Sequence, residues 1–409
     1  MPNGVQVVSE QMRSSRTFSV GIFVRVGSRQ ESATLHGASH FLEHVLFKGT
    51  ARRSAEEISA AIESVGGELN AYTAKEHTCF YARVQAFDAE LAVDVLTDMM
   101  TSSVVLGADL EAERAVILDE IAMHGDDPGE VVADLVADEL FAGSGLGQPV
   151  IGSPGSIAAL SRDQVVRHWR RHYRPASLVV AAAGQVDHDR LVEMLGPLDA
   201  RAGGATPRAP KATRIKPHGA LVSRERRLEQ CSAVLAFPST GVFDDRRYPL
   251  GLLSVILGGG MASRLFVEVR ERRGLTYGID AGETTYSDAG LWSVDWQCAP
   301  SKLADILTLV RATLDDVAAN GVTEVELARA KGQMRGQTVL SYEGPSSRMN
   351  RLGSNALLGD DRTLRHVLDC FDAVGPDQIQ QEAALLFAQP PVLGLVGPRV
   401  PAKVARDWS

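Results

Sequence analysis

Apolar and polar positions along the 409-residue chain trace a set of elements that occurs twice. Phe18-Ser-Val-Gly-Ile-Phe-Val-Arg-Val and Ser232-Ala-Val-Leu-Ala-Phe both read as alternating apolar strands. A loop and an apolar helix follow each strand, His40–Phe47 in the first half and Leu250–Leu257 in the second. Each half later carries a charged amphipathic helix, Asp109–Met123 and Thr323–Leu340. Each then ends near a small-residue strand closing on glycine, Leu178–Gly184 and Val392–Gly397. Matching elements are offset by about 210 to 215 residues, which marks a long-period duplication.

Between the copies, Leu198–Pro217 is rich in Pro, Gly, Ala and basic residues and has no apolar periodicity, as expected of a linker. The chain therefore divides into a domain at 1–200, a linker at 201–217 and a homologous domain at 218–409. Strands, helices and hairpin-like turns are intermixed, which predicts an α+β fold. Each domain is expected to be an antiparallel sheet with helices packed on one face.

Composition narrows the functional classes. With 44% hydrophobic and 23% charged residues the chain can bury substantial cores. A net charge of −9, with acidic residues interrupting the basic clusters Arg224–Arg227 and Arg270–Arg273, argues against a nucleic-acid partner. Apolar stretches such as Ser177–Ala183 are too short to span a bilayer, and the N-terminus has neither the basic nor the apolar region of a secretory signal. Cys79, Cys231, Cys298 and Cys370 are widely spaced and form no C-x-x-C pair; they read as buried thiols of a cytoplasmic protein.

The chemistry concentrates in His36-Gly-Ala-Ser-His-Phe-Leu-Glu-His-Val-Leu-Phe-Lys-Gly-Thr50. On a helix starting at Gly37–Ser39, with Ser39 as N-cap, His40 and His44 stand one turn apart on one face, the spacing two imidazoles need to share a metal ion. Glu43 leans toward the same place as a candidate general base. Two histidines and a glutamate in an apolar helix cost burial energy unless something pairs them. The duplication sharpens this: His40, Glu43, His44 and Glu120 align near Leu250, Leu253, Ser254 and Arg335, so one copy carries the constellation and the other fills the same places with ordinary residues. A third ligand is expected from the helix Asp109–Met123, where Glu113 and Glu120 are two turns apart on one face; spacing alone does not choose between them. His36 and His77 lack ligand spacing, and Gly258–Gly260 lacks the Lys-Ser/Thr of a phosphate loop.

The motif His40-x-x-Glu43-His44, followed by Glu120 within Glu-Arg-Ala-Val-Ile-Leu-Asp-Glu-Ile, resembles the pitrilysin or inverzincin zinc metallopeptidases, and within them the mitochondrial processing peptidase and its bacterial homologues. The resemblance covers nearly the whole chain. It implies that Glu120 is the third zinc ligand and Glu113 a catalytic carboxylate behind the ligands, and that one Zn²⁺ per chain serves endopeptidase chemistry with Glu43 as general base. It further implies that Arg270 and Tyr277, in the segment after Gly258–Gly260, serve the zinc site, and that Asn70 in Gly66-Gly-Glu-Leu-Asn-Ala-Tyr-Thr holds the substrate backbone. Phe47 shares the helix face of His44 and offers the floor of a substrate pocket, or equally a core contact. Expected partners are extended or unfolded peptides and a second copy of the chain in a homodimer. The rival reading is a non-catalytic scaffold subunit related to processing peptidases.

Overall fold

The computed structural model describes residues 1–200, 212–215, 217–399 and 404. Of the expected linker, residues 201–211 and 216 lie outside the described residues. The chain forms two compact units. The first comprises the described residues within 1–122, 148–211 and 339–361, and the second those within 123–147, 212–338 and 362–409.

The first unit is built on five strands: β1 (Gln6–Gln11), β2 (Thr17–Val24), β3 (Glu68–Thr73), β4 (Thr78–Gln85) and β5 (Leu178–Gly184), in the order β1-β5-β2-β4-β3. The second has β6 (Ala220–Glu225), β7 (Cys231–Ser239), β8 (Ile279–Thr285), β9 (Gly290–Cys298) and β10 (Val392–Gly397), in the order β6-β10-β7-β9-β8. The two orders are the same element for element, as a duplication requires. Pairing is antiparallel except at one edge of each sheet, where β1 runs parallel to β5 and β6 parallel to β10; the sheets are therefore mixed.

Helices α1 (Ala38–Leu46), α2 (Ala55–Glu63), α3 (Ala89–Ser102) and α4 (Gly107–Asp126) follow one another in the first half of the chain. Their apolar faces, with Phe41, Leu42, Ile58, Leu96 and Ile117, close a core against Phe18, Val20, Ile22 and Phe80 of the sheet. The opposite face of the sheet is also covered, contrary to the expectation of helices on one side. Phe23, Cys79, Val179, Ala181 and Ala183 form a second layer with Met349 of the helix Pro345–Leu358. Helix α5 (Pro128–Leu140) does the same for the second sheet, packing Val131, Val132 and Val136 on Val234, Ala236, Val392 and Val396. Each unit thus takes one covering helix from the other half of the chain. Glycine permits the close approach in both places: a Cβ on Gly353 would overlap the ring of Phe23, and one on Gly394 would overlap Val136.

All four cysteines are unpaired thiols, three of them buried. No helix among the described residues is long and apolar enough to cross a membrane.

Candidate metal centre

Helix α1 buries Ala38, Phe41, Leu42, Val45 and Leu46 in the first core, leaving His40, Glu43 and His44 half-buried on its other side. Its start differs from the expected Ser39 cap. Gly37 is the N-cap, in the left-handed region at φ 88°, and makes no side-chain cap bond. The cap is supplied from a distance: the buried Glu31 carboxylate accepts the backbone N–H of Gly37 at 2.7 Å and of Ser39 at 2.6 Å. Burial pushes Glu31 up to about 7, against these same bonds. Ser39 lies inside the helix, where its hydroxyl is 3.0 Å from Nε2 of the buried His168. A carboxylate at this end also complements the helix dipole.

The i, i+4 spacing brings the two imidazoles together, with His40 Nε2 3.3 Å from His44 Nε2. Glu120, on α4, places Oε2 3.4 Å from His44 Nε2 and 3.7 Å from His40 Nε2. Among the described residues these three form the only group of His, Cys, Asp or Glu side chains whose donor atoms converge in this way, within 4.8 Å of one another. Zinc bonds of about 2.0 to 2.1 Å in a tetrahedron set neighbouring ligand atoms roughly 3.3 to 3.5 Å apart. Two of the three separations fall within that range and the third, His40 to Glu120, is 3.7 Å, and two imidazoles with one carboxylate are a donor set zinc favours. Burial, with the neighbouring His44, pushes His40 down to about 4, so its imidazole is neutral at pH 7, the form a metal requires.

Two further contacts fix the surroundings. His44 Nδ1 donates to Glu113 Oε2 at 2.8 Å, leaving Nε2 with its lone pair toward the trio. The other Glu113 oxygen, Oε1, is 2.5 Å from Lys48 Nζ. Burial alone would raise Glu113, but Lys48 and His44 hold it below the usual carboxylate value. Glu43 is raised by burial, an effect opposed by the hydroxyl of Thr73, which donates to its Oε2 at 2.5 Å. Glu113 is therefore a partner of a ligand-type histidine rather than a member of the trio.

The remaining candidates are placed as follows. Asn70 is exposed on β3, the edge strand, where its side-chain oxygen accepts the N–H of Ala71 at 2.8 Å. Phe47 is half-buried against the first core, its ring 6.1 Å from that of Phe80. Arg270 and Tyr277 belong to the second unit. Arg270 lies on a π-helical stretch, Phe266–Glu271, with its guanidinium 4.5 Å from the ring centre of Phe266, and Tyr277 is 88% exposed. The second copy fills the aligned places with the buried Leu250 and Leu253 and with Ser254, whose hydroxyl accepts the indole N–H of Trp292 at 2.7 Å. Sequence reasoning passed over Glu31, Lys48 and Thr73. Only Lys48 had a visible signal, standing four residues after His44 as His44 stands after His40.

Residues 6–154 match the insulinase family (peptidase family M16), and residues 159–334 match the peptidase M16 inactive domain. The chain is 43% identical over 406 residues to an uncharacterized zinc protease of Streptomyces coelicolor, covering 97% of this chain and 88% of that one. It is 42% identical over 407 residues to an uncharacterized zinc protease of Mycobacterium tuberculosis (97% and 92% covered). It is 34% identical over 403 residues to an uncharacterized zinc protease of Bacillus subtilis, with 97% of each covered. Among solved structures, a protease from Helicobacter pylori aligns with a TM-score of 0.89 at 18% identity over 97% of each chain. A chain of complex III2 from Candida albicans aligns with a TM-score of 0.86 at 21% identity, covering 97% of this chain and 94% of that one. At these identities the two structures speak to the fold alone. The His40–His44 helix and Glu120 lie within the stretch that matches the insulinase family, the sequence relatives extend over nearly the whole chain, and the protein belongs to peptidase family M16.

Proposed function

We propose that the protein is a zinc metalloendopeptidase that cleaves extended or unfolded peptides, with one Zn²⁺ per chain held by His40, His44 and Glu120. The observation that carries this reading is the convergence of three donor atoms at 3.3 to 3.7 Å beside the half-buried Glu43, which is not one of them. The names of the sequence relatives point the same way.

His40, His44 and Glu120 would hold the zinc, which would supply Lewis acidity toward water and a peptide carbonyl. Glu43 accepts a proton from water at a carboxylate oxygen and returns it to the departing amine nitrogen. Thr73 holds the Glu43 carboxylate by its Oε2, leaving Oε1 for the proton. Glu113 keeps His44 in the tautomer whose Nε2 is a ligand. Peptides add as a strand along the edge at β3, where the exposed Asn70 serves the substrate backbone, and Phe47 floors a side-chain pocket. On the family resemblance Arg270 and Tyr277 are assigned to catalysis, as donors to the oxyanion that develops on the attacked carbonyl. The chain carries both the metal trio and the glycine-rich segment Gly258–Gly260, which supports a self-sufficient homodimer. Unpaired thiols fit a reducing cytoplasm.

The decisive comparison is wild type against Glu43→Gln, with zinc content and peptide cleavage measured on each. One zinc per chain in both proteins, with cleavage lost by several orders of magnitude in the variant, is the expected result. Undiminished cleavage by Glu43→Gln would remove the general-base assignment, and a metal-free, inactive wild type would favour the scaffold reading.

A further inference from the structure

We propose that Lys48 is a positioning residue for the metal centre: its ammonium anchors Glu113, and Glu113 in turn fixes the imidazole of His44. The proposal rests on the zinc reading above. Its basis is an unbroken series of contacts from solvent to the trio. The Lys48 side chain is 36% exposed and reaches Glu113 Oε1 at 2.5 Å, Glu113 is only 5% exposed, and Glu113 Oε2 meets His44 Nδ1 at 2.8 Å.

The charge balance makes Lys48 necessary to this arrangement. A buried carboxylate is costly unless a cation or several donors satisfy it. His44 supplies one donor, but as a ligand through Nε2 it is a neutral imidazole and supplies no charge. Among the described residues Lys48 is the only Lys or Arg in an ion pair with Glu113. Lys48 also stands two residues beyond the last residue of α1, a helix end that favours a cation. The two histidines are not equally supported. His40 Nδ1 is buried without a hydrogen-bond partner among the described residues, so orientation of the imidazole pair through a second nitrogen falls to His44 alone. Without Lys48, nothing holds Glu113 at Oε1, the carboxylate is free to turn, and His44 loses its fixed acceptor.

The rival physical effect has the opposite sign. A cation close to a dication repels it, so a purely electrostatic Lys48 would weaken zinc binding, and its removal would tighten it. Competition with a chromophoric chelator on purified, metal-stripped protein separates the two. Lys48→Met is expected to weaken zinc binding about tenfold, at the lower end of what loss of a ligand's supporting partner costs. Lys48→Arg, which keeps the charge, is expected to recover most of it, and Lys48→Met is expected to add little in a Glu113→Gln background. The visible absorption of the Co²⁺-substituted protein should change in Lys48→Met and return in Lys48→Arg. Lys48→Gln provides a second neutral variant should Lys48→Met not fold. Unchanged or tighter zinc binding in the neutral variants, or an equal loss in the Glu113→Gln background, would overturn the proposal while leaving the zinc reading intact. A wild type that binds no zinc overturns both.

Discussion

The hydroxyl of Thr73 donates a 2.5 Å hydrogen bond to Glu43 Oε2, tying the last residue of β3 to the acidic residue of helix α1. The edge strand proposed to receive the peptide and the group proposed to move the proton are thereby one mechanical element.

That link has a measurable price if it is cut. A hydrogen bond to a charged, half-buried carboxylate is worth about 1.5 to 3 kcal/mol. Thr73→Val, close in shape but without the hydroxyl, should lower kcat about tenfold or more with zinc content unchanged, and Thr73→Ser should restore most of it. Steady-state kinetics with metal analysis on the same samples checks this; wild-type kcat in Thr73→Val removes Thr73 from the reaction.

Glu120 and Glu113, seven residues apart on α4, should separate cleanly. Glu120 faces both imidazoles, whereas of the two Glu113 meets only that of His44, at Nδ1. Glu120→Gln should therefore abolish tight zinc binding, while Glu113→Gln should weaken it by about 10- to 100-fold. Chelator competition measures both, and the reverse ranking would exchange their roles.

Packing gives a prediction independent of chemistry. Alanine favours a helix over glycine by about 1 kcal/mol. At Gly353, however, a Cβ would overlap the fully buried ring of Phe23, and overpacking of this kind costs about 1 to 3 kcal/mol. Gly353→Ala should lower the thermal midpoint. An unchanged or raised midpoint would mean that the helix Pro345–Leu358 lies less tightly on its sheet.

Acid should weaken the first unit through His168. Burial, then the charges of His172 and Arg171, push its pKa down to about 3. In the unfolded chain it takes up a proton as pH falls through about 6.5, while in the folded chain it does not until about 3. The unfolded state binds more protons across that window, so stability falls as pH falls from about 6.5 toward 3. Denaturant unfolding of wild type and His168→Asn at pH 7 and pH 5 checks this: the wild type should lose more stability between the two than the variant. Equal losses would remove His168 from the acid response.

The sequence was most legible where a single periodicity carries the information. Strands Leu178–Gly184 and Val392–Gly397 appear with the expected limits, and the i, i+4 spacing of His40 and His44 translates directly into facing nitrogens. Duplication was readable because the same succession of elements recurs along the chain, and the two sheets share one strand order. Partners distant in the chain were not. Thr73 meets Glu43 only because the fold brings separate elements together, and Glu31, although near in the chain, reaches α1 through a turn that no periodicity encodes. The missing second layer did leave a trace. Leu178-Val-Val-Ala-Ala-Ala-Gly has no polar alternation, as befits a strand covered on both faces. Periodicity shows that a helix has an apolar side, but not which sheet it will cover.

The exchange of covering helices sets an order for events during synthesis. By the time β5 has left the ribosome every strand of the first sheet exists, yet Phe23, Cys79 and Val179 face water until Pro345–Leu358 is made. Meanwhile α5 has already emerged with Val131, Val132 and Val136 and has no sheet to lie on, since β6–β10 are still unmade. The nascent chain therefore holds a bare sheet and a homeless apolar helix together, two surfaces that suit each other in kind but not in final address. Native packing requires the first sheet to wait for its helix and α5 to wait for its sheet, each made in the other half of the chain, a demand that two separately sufficient halves would never face.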